Sequence, residues 1–203
     1  MSSSILFVSS NDNKVREARR ILSKFGINVL HYEGKIREIQ ENSLSKIASQ
    51  KVLDAYEEAR KRKLPRGAGI HTGPTGVIVE DDGLFIDSLG GFPGPYSSYA
   101  YDTIGNKGIM NLLQNSEHRD AKFVAIIAYY NTDEEVKLFE SSIPGKISKE
   151  IEKGGWGYDP IFIPDGESKT YANVSDKDKF SHRAAALTKF SNWFLDKQKD
   201  NGQ

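Results

Sequence analysis

Near its start the chain reads Ile5-Leu6-Phe7-Val8-Ser9-Ser10-Asn11-Asp12-Asn13-Lys14, an apolar run joined directly to a polar hexapeptide. An uninterrupted apolar run of this kind is typical of a strand buried on both faces. After the hexapeptide, apolar residues recur at three- and four-residue steps from Val15 to Phe25, which predicts a helix that Gly26 ends. A strand, a short polar loop and a helix in this order indicate a fold of the α/β class.

The same patterns predict further helices and strands along the rest of the chain. A long helix begins near Leu44 and ends before Pro65, a short one lies at 104–113, and the last runs over 181–197 with one apolar face. Apolar or alternating segments predict strands at 28–32, 77–79, 122–130 and 136–141, the last two as a hairpin. Residues 65–76 are predicted as a loop and 83–99 as a turn-rich region. These elements indicate a mixed α/β (α+β) fold, and because no linker interrupts residues 1–203 we expect a single domain.

The composition excludes several classes of protein. The 28 Lys and Arg residues balance 28 Asp and Glu residues, so the chain lacks the basic excess that binding to a nucleic-acid backbone requires. There is no cysteine, which excludes disulfides and thiolate metal sites. The N-terminus does not resemble a signal peptide, and no apolar stretch approaches the roughly 18 residues of a membrane span. We therefore expect a soluble, cytoplasmic protein that binds neither nucleic acid nor membrane.

The hexapeptide from Ser9 to Lys14 has the chemistry of a phosphate site. It brings hydroxyls, amides, an ammonium and the free N–H groups of a helix N-terminus together in one small loop. It has no glycine and no Gly-Lys-Ser/Thr sequence, so it is not a P-loop. The same residues also fit an ordinary polar turn in which Ser10 or Asn11 caps the helix.

Three carboxylates, Glu80-Asp81-Asp82, directly follow the apolar run Val77-Ile78-Val79. Carboxylates at the end of a buried strand are costly unless a cation or hydrogen-bond donors neutralise them. Oxygen ligands of this kind suit Mg²⁺ or Mn²⁺. Because strand side chains alternate, Glu80 and Asp82 are expected on one face and Asp81 on the other, so one or two of them would be ligands. A solvated acidic turn is the competing interpretation.

Two later segments combine aromatic, acidic and basic groups. In Trp156-Gly157-Tyr158-Asp159-Pro160, rings between glycines can stack on a nucleotide base while the carboxylate binds the edge of that base. Alternatively, these rings cover the core beneath a tight turn. Lys177 and Ser181-His182-Arg183 place cations at the start of the last helix, where an anionic or electron-rich ligand would offset their repulsion by the helix dipole. The competing interpretation is a solvated basic helix start.

In chain order, these segments resemble those of the inosine triphosphate pyrophosphatase family, enzymes that remove non-standard purine triphosphates. The resemblance extends from Ile5 to Phe194. The matching stretches are Ser9–Lys14, Glu80-Asp81-Asp82-Gly83-Leu84, Gly91-Phe92-Pro93-Gly94-Pro95-Tyr96-Ser97, Gly157-Tyr158-Asp159-Pro160 and Ser181-His182-Arg183. What the resemblance implies is an elongated, mixed α/β fold of two lobes with a central mixed sheet, a nucleotide cleft between the lobes, and a homodimer.

The resemblance also implies roles for individual residues. The triphosphate would be bound by Ser9, Ser10, Asn11, Asp12, Asn13 and Lys14. Glu41 and Asp81 would bind Mg²⁺, or Mn²⁺ in its place, and Asp81 would also be the base that activates water. Lys46, five residues after Glu41, would reach the phosphates. The nucleotide, chiefly its base, would be contacted by Asp82, Trp156, Gly157, Tyr158, Asp159, Lys177, His182 and Arg183.

The chain departs from the family pattern at several points. The loop opens with Ser9-Ser10-Asn11 where Thr-Gly-Asn is common, and serine keeps the hydroxyl needed for phosphate binding. Asp82 stands where Ser or Thr is common and adds a negative charge. Trp156 replaces a frequent phenylalanine and preserves stacking. The 65–76 loop is longer than is typical.

The resemblance implies hydrolysis of inosine and xanthosine triphosphates to monophosphate and pyrophosphate, by attack of water at the α-phosphorus. The competing functions are a pyrophosphatase for other modified nucleotides and a non-catalytic nucleotide-binding module. The carboxylates distinguish these functions, because a protein that only binds triphosphates gains little from Glu80 and Asp81 beside the phosphates without a metal. A nucleic-acid-binding protein is disfavoured by the zero net charge.

Overall fold

The computed structural model describes residues 3–34, 36–61, 76–132 and 135–200. It contains six strands: β1 (Ser3–Val8), β2 (Ile27–Tyr32), β3 (Val77–Ile86), β4 (Asp120–Tyr130), β5 (Lys137–Ile147) and β6 (Phe162–Pro164). The helices are α1 (Asp12–Ser23), α2 (Leu44–Lys61), α3 (Ser97–Thr103), α4 (Gly105–Leu112) and α5 (His182–Asp200). The predicted loop at 65–76 lies outside the described residues except for Gly76.

The strands form one mixed sheet in the order β2-β1-β3-β4-β5-β6. β1 is parallel to both of its neighbours, with Phe7 opposite His31 of β2 and Ile78 of β3. β6 pairs with β5 in the antiparallel sense. The residues from Ile5 to Val8 are buried, as expected for an apolar strand with a neighbour on each side. The predicted mixed α/β fold is therefore confirmed.

Strand β3 continues past the three carboxylates and ends only at Ile86, so the prediction that the strand stops at Val79 is wrong. Leu84 and Ile86 are fully buried, and their burial extends the strand through Glu80-Asp81-Asp82. The carboxylates therefore lie within a strand rather than in the acidic turn that the sequence also allowed. Their backbones are held by the sheet, which restricts where their side chains lie.

Two other boundaries differ from the predictions. α3 begins inside the segment predicted to be turn-rich, 83–99, and continues to Thr103, because the neighbouring glycines and prolines concealed a helix of seven residues. β5 extends to Ile147 rather than ending at Ser141, since its buried residues alternate with exposed ones in a polar sequence. The adjacent β4 and β5 agree with the predicted strand pair, although part of the turn at 131–134 lies outside the described residues.

The contacts divide the chain into two compact units. The first unit comprises Met1–Asp81, Ile126–Glu140 and Arg183–Gln203, and the second comprises Asp82–Ala125 and Ser141–His182. In the first unit, the predicted apolar face of α5 is buried, and Phe190 lies 6.0 Å from the ring of Tyr129. In the second unit, Phe123 and Phe162 pack edge to face at 4.8 Å within a cluster that includes Leu84 and Ile109. Within the described part of the chain, no helix is long and apolar enough to cross a membrane.

Candidate functional site

The loop from Ser9 to Lys14 joins β1 to α1, as predicted. Asn11 is the N-cap: its side-chain oxygen accepts hydrogen bonds from the backbone N–H groups of Asn13 (3.0 Å) and Lys14 (3.2 Å). The Ser9 hydroxyl accepts a hydrogen bond from the N–H of Asn11 at 3.1 Å. The loop is therefore pre-shaped by its own side chains, and Ser10 is exposed. Phosphate binding by this loop stays a prediction.

Lys14 belongs to a buried network of two cations and two carboxylates in the first unit. Its ammonium is 3.7 Å from Glu80 Oε1. Arg183 Nε lies 2.8 Å from both oxygens of Glu80, and Arg183 Nη2 lies 2.7 Å from Oε1. Arg183 Nη1 is 2.5 Å from Glu17 Oε2. Arg183 and the Glu80 side chain have no exposed surface. The two positive and two negative charges of the network therefore balance one another, and water does not reach Arg183 or the Glu80 carboxylate at its centre.

This placement bears on the base contact predicted for Arg183. Two carboxylates bind its guanidinium through Nε, Nη1 and Nη2. A contact between Arg183 and the base stays a prediction. Glu17 was not identified from the sequence. It could have been found there, because it is a carboxylate on the apolar stripe of α1, three residues after Lys14.

Asp81 and Glu38 share one ammonium. Lys51 Nζ lies 2.5 Å from Glu38 Oε1 and 3.6 Å from Asp81 Oδ2, and the side chains of Lys51 and Asp81 are each 14% exposed. Neither Glu38 nor Lys51 was identified from the sequence. The sequence offered a way to find Lys51, because a lysine four residues after Ile47 lies on the apolar face of α2. It offered none for Glu38, which precedes the helix in an irregular segment.

Glu41, the other predicted metal ligand, has different partners. It accepts a hydrogen bond from the backbone N–H of Asn42 at 2.7 Å and lies 3.3 Å from the ammonium of Lys46. The Asn42 hydrogen bond, followed by the contact with Lys46, lowers the pKa of the Glu41 carboxyl. Lys46, predicted to reach phosphates, is 69% exposed. The carboxylate that shares the Lys51 ammonium with Asp81 is therefore Glu38. Metal binding by Glu41 stays a prediction.

The described part of the chain does not supply a metal site from protein ligands alone. Among the described residues, no group of three or more His, Cys, Asp or Glu side chains clusters closely enough to hold an ion. Mg²⁺ is commonly bound by one or two carboxylates together with substrate phosphates. Asp81 and Glu38, two carboxylates already drawn to one positive charge, fit that pattern better than a site made by protein ligands alone.

In the second unit, His182 is held between an aromatic ring and a carboxylate. Its ring stacks on Phe123 with centroids 4.4 Å apart and planes 5° from parallel. Its Nε2 lies 3.7 Å from Asp82 Oδ2, and His182 is only 2% exposed. The structure thus brings together two residues predicted to contact the nucleotide, and it adds Phe123, which the sequence did not reveal.

The loop at Trp156–Pro160 is organised around an ion pair. Lys177 Nζ lies 2.7 and 2.8 Å from the two oxygens of Asp159. The same ammonium lies 5.4 Å from the ring centre of Trp156 and 5.3 Å from that of Tyr171, distances typical of cation–π contacts. Three predicted base contacts therefore meet at one point, together with Tyr171, which was not identified from the sequence.

Tyr158 and Gly157 contribute to the shape of this loop, Tyr158 by packing its side chain into the core and Gly157 by its backbone conformation. Tyr158 is 5% exposed and donates a hydrogen bond to the carbonyl of Ser97 at 3.0 Å, while burial raises the pKa of its hydroxyl. Gly157 has φ +57°, in the left-handed region that favours glycine, and its carbonyl accepts a hydrogen bond from Asn106. For Tyr158 the interpretation as a core residue is correct, and its contact with a nucleotide stays a prediction.

Comparisons with known proteins show which proteins the whole chain is similar to. The model of the Ham1 family matches residues 5–193. The chain is 40% identical to a dITP/XTP pyrophosphatase of Methanopyrus kandleri over 193 residues, covering 94% of this chain and 95% of the relative. It is 38% identical to the dITP/XTP pyrophosphatase of Thermococcus kodakarensis, covering 96% and 99%. Among solved structures, the Ham1 protein of Staphylococcus aureus is similar with a TM-score of 0.75 and 27% identity, covering 96% of this chain and all of that one.

Proposed function

Because the chain belongs to the Ham1 family, we propose that it is a nucleoside triphosphate pyrophosphatase acting on non-canonical purine nucleotides. It hydrolyses the triphosphates of inosine, deoxyinosine and xanthosine to the monophosphate and pyrophosphate, and so removes them from the nucleotide pool. Relatives at about 40% identity over nearly the whole chain carry the name dITP/XTP pyrophosphatase. The observation that carries the chemistry is the meeting of Asp81 and Glu38 on one ammonium, in the unit that also bears the Ser9–Lys14 loop.

We assign the proton transfer to Asp81. Its carboxylate accepts a proton from the water that attacks the α-phosphorus, and pyrophosphate leaves in the same step. Lys51 holds Asp81 in place beforehand, at 3.6 Å. The N–H groups, hydroxyls and amides of the Ser9–Lys14 loop bind the phosphates, and the cations of Lys14 and Lys46 neutralise part of their charge.

The cofactor proposed is Mg²⁺, with Mn²⁺ as a substitute. Asp81 is one ligand in this proposal. Glu41 is the second ligand that the family resemblance implies, and Glu38 is the one that the geometry favours. When bound, such an ion neutralises phosphate charge and lowers the pKa of a coordinated water.

The second unit supplies the groups proposed to recognise the base. Trp156 stacks on the purine, and the ammonium of Lys177 donates to its 6-oxo group while Asp159 accepts from the ring N–H. Adenine carries an amino group at position 6, so a donor would face a donor there. Leaving such groups desolvated and unpaired supports discrimination of roughly 10²–10⁴ in kcat/KM against ATP.

Assembly and location complete the proposal. We propose that the protein is a homodimer in the cytoplasm. Its ligand is the free nucleotide, and it binds neither nucleic acid nor membranes. The balanced charge supports the exclusion of nucleic acid. Light scattering coupled to size exclusion tests the dimer, and a monomer mass at micromolar concentration would refute it.

The function is tested with a panel of ITP, dITP, XTP, ATP, GTP and CTP in the presence of Mg²⁺, with the products resolved by anion exchange. We expect pyrophosphate and monophosphate from the first three and much slower turnover of the others. GTP shares the 6-oxo group and ring N–H of ITP, so its rejection must come from crowding or mispairing at its 2-amino group. Hydrolysis in H₂¹⁸O places the label in the monophosphate if water attacks the α-phosphorus. Excess chelator should abolish turnover, and full turnover in its presence would refute the proposed requirement for a divalent metal.

Each alternative has its own signature in this panel. Comparable kcat/KM for ATP and ITP refutes the substrate assignment, and preference for another modified nucleotide indicates the competing pyrophosphatase. Orthophosphate and a diphosphate indicate attack at the γ-phosphorus. Binding of ITP without any product indicates a binding module. Comparing Glu38→Gln with Glu41→Gln in a Mg²⁺ titration identifies the second ligand, because only its loss should raise the Mg²⁺ concentration needed for half-maximal rate.

A further inference from the structure

We propose that Asn106 is a positioning residue for base recognition, acting through the backbone of Gly157. The side chains that it positions are those of Trp156 and Asp159, which the proposed function places against the base. The inference therefore rests on the proposed function, because it explains what holds the loop at 154–160 in one conformation. The residues concerned all belong to the second unit.

Trp156 lies between two glycines that have left-handed backbone conformations. Gly155 has φ +67° and Gly157 has φ +57°. Glycine adopts such angles easily but also leaves them easily, so the local sequence does not fix the direction of the indole ring. The backbone on each side of Trp156 must therefore be held by contacts from elsewhere in the second unit.

The two glycines are held in different ways. A Cβ on Gly155 would lie 2.6 Å from the Cβ of Asp159 and 3.2 Å from the Cα of Ala172, so close packing restrains that glycine. A Cβ on Gly157 would meet no atom of the described residues within 4 Å, its chain neighbours aside. Packing therefore does not restrain Gly157, and its carbonyl instead accepts a hydrogen bond from Nδ2 of Asn106 at 3.0 Å.

That carbonyl belongs to the centre of the turn that carries both proposed base contacts. The N–H of Asp159 donates to the carbonyl of Trp156 at 3.1 Å, and the N–H of Trp156 donates to Asp159 Oδ2 at 3.3 Å. These bonds close a four-residue turn in which Gly157 is the second residue. Rotation of the peptide between the second and third residues changes a turn from one type to another. Because Asn106 binds the oxygen of that peptide, it holds the turn in one form.

The core of the second unit anchors Asn106. It is the second residue of α4, and Ile109, three residues further on, is fully buried in the same cluster as Tyr158. Helix α3 holds the next residue of the loop, since the Tyr158 hydroxyl donates to the carbonyl of Ser97 at 3.0 Å. Residues 157 and 158 are thus fastened to two helices, and the turn does not depend on its own hydrogen bonds alone.

The amide of Asn106 is oriented for this contact. Because a carbonyl oxygen only accepts hydrogen bonds, the amide must present its nitrogen to Gly157. Its own oxygen, Oδ1, is then buried, and among the described residues it has no hydrogen-bond partner. A buried acceptor without a partner costs stability. Support of the loop therefore explains this side chain better than a role in folding alone.

The experiment compares Asn106→Ala and Asn106→Asp with the matched control Asn111→Ala. Aspartate has the shape of asparagine but sets an oxygen, in place of the donor, against the Gly157 carbonyl. Asn111 is exposed on the same helix. We expect both Asn106 variants to lower kcat/KM for ITP by about three- to tenfold, the effect of losing one neutral hydrogen bond, and the control to leave it unchanged.

Two further readouts separate base recognition from phosphate binding and from folding. Adenine has no ring N–H for Asp159 to accept, so the ITP-to-ATP ratio of kcat/KM should fall by more than about twofold in the Asn106 variants. The inhibition constant of inorganic tripolyphosphate, which has no base, should change by less than about twofold. A merely structural loss would lower the turnover of both nucleotides equally and leave their ratio unchanged.

Fluorescence tests the positioning without any substrate. Trp156 and Trp193 are the two tryptophans of the chain, and Trp193 lies in the first unit, so Trp193→Phe makes Trp156 the sole tryptophan emitter. In that background we expect both Asn106 variants to lower the anisotropy of Trp156 emission and to increase its quenching by acrylamide, because the turn rotates more freely. Asn111→Ala should alter neither quantity. If Asn106→Asp does not fold, Asn106→Ala carries the comparison.

Three results would overturn the proposal: an ITP-to-ATP ratio that stays constant in the Asn106 variants, a folded Asn106→Asp protein that behaves as the unmodified protein does, or Trp156 anisotropy that neither variant changes. Failure of the proposed function is a separate result, since it appears as an absence of pyrophosphate release by the unmodified protein. The fluorescence comparison still tests the positioning role in that case.

Discussion

Replacing Arg183 with methionine tests how much the buried charge network contributes to stability. Methionine retains most of the length and volume of arginine but has no charge and no donors, so the loss is chiefly electrostatic. Glu80 and Glu17 would be left buried, with Lys14 at 3.7 Å from Glu80. Breaking a buried ion pair by removing one partner costs about 3–5 kcal/mol. For a chain of this size, about 2–4 °C of Tm per kcal/mol gives a decrease of roughly 6–20 °C.

Arg60→Met is the matched control, because Arg60 pairs with Glu57 at 3.8 Å on the surface, where the two side chains are 68% and 52% exposed. Exposed pairs contribute about 0–1 kcal/mol, so this control should leave stability nearly unchanged. Adding Glu80→Gln to Arg183→Met removes the charge of one of the two buried carboxylates that Arg183 had bound, and should restore part of the loss. Added salt should affect the buried network little, since screening acts mainly on exposed charges.

Urea unfolding followed by fluorescence suits this test. Trp193 packs 5.0 Å from Tyr129 and 5.2 Å from Phe139 in the first unit, so its emission reports on the unit that contains the network. Circular dichroism supplies Tm. The reasoning is refuted if Arg183→Met loses no more stability than Arg60→Met, or if Glu80→Gln destabilises it further.

Substitutions at three other positions give independent tests. Asp81→Asn should lower kcat by a factor on the order of 10² or more through loss of the base and a metal ligand, and normal turnover by folded Asp81→Asn would place the base elsewhere. Asn11→Ala removes the cap of α1 and should cost about 0.5–2 kcal/mol in urea unfolding, while Asn11→Asp should cost less. Gly83→Ala would bring a Cβ within 2.4 Å of the carbonyl oxygen of Gly94. We expect it to cost about 1–3 kcal/mol, and an unchanged urea midpoint would contradict the close approach.

Local patterns sufficed for much of the fold. The apolar run from Ile5 to Val8, the helical face ending at Phe194 and the Asn11 cap each depend on neighbours within a few residues, and the structure bears them out. The cluster Glu80-Asp81-Asp82 was visible for the same reason, because its members are adjacent in sequence. Its place inside β3 was not, since Leu84 and Ile86 become strand residues by packing in the second unit.

By itself, then, the sequence determined the mixed α/β class, the polar loop before α1 and the chemical type of the candidate site residues, because side-chain periodicity and functional groups are local properties. Only the tertiary structure decided which charges meet. Arg183 lies 103 residues along the chain from Glu80 and 166 from Glu17. Lys51 of α2 contacts both Glu38 and Asp81 of β3. No local pattern encodes such distances, and in a buried site the partner of a charge, rather than the charge itself, determines what it can still bind.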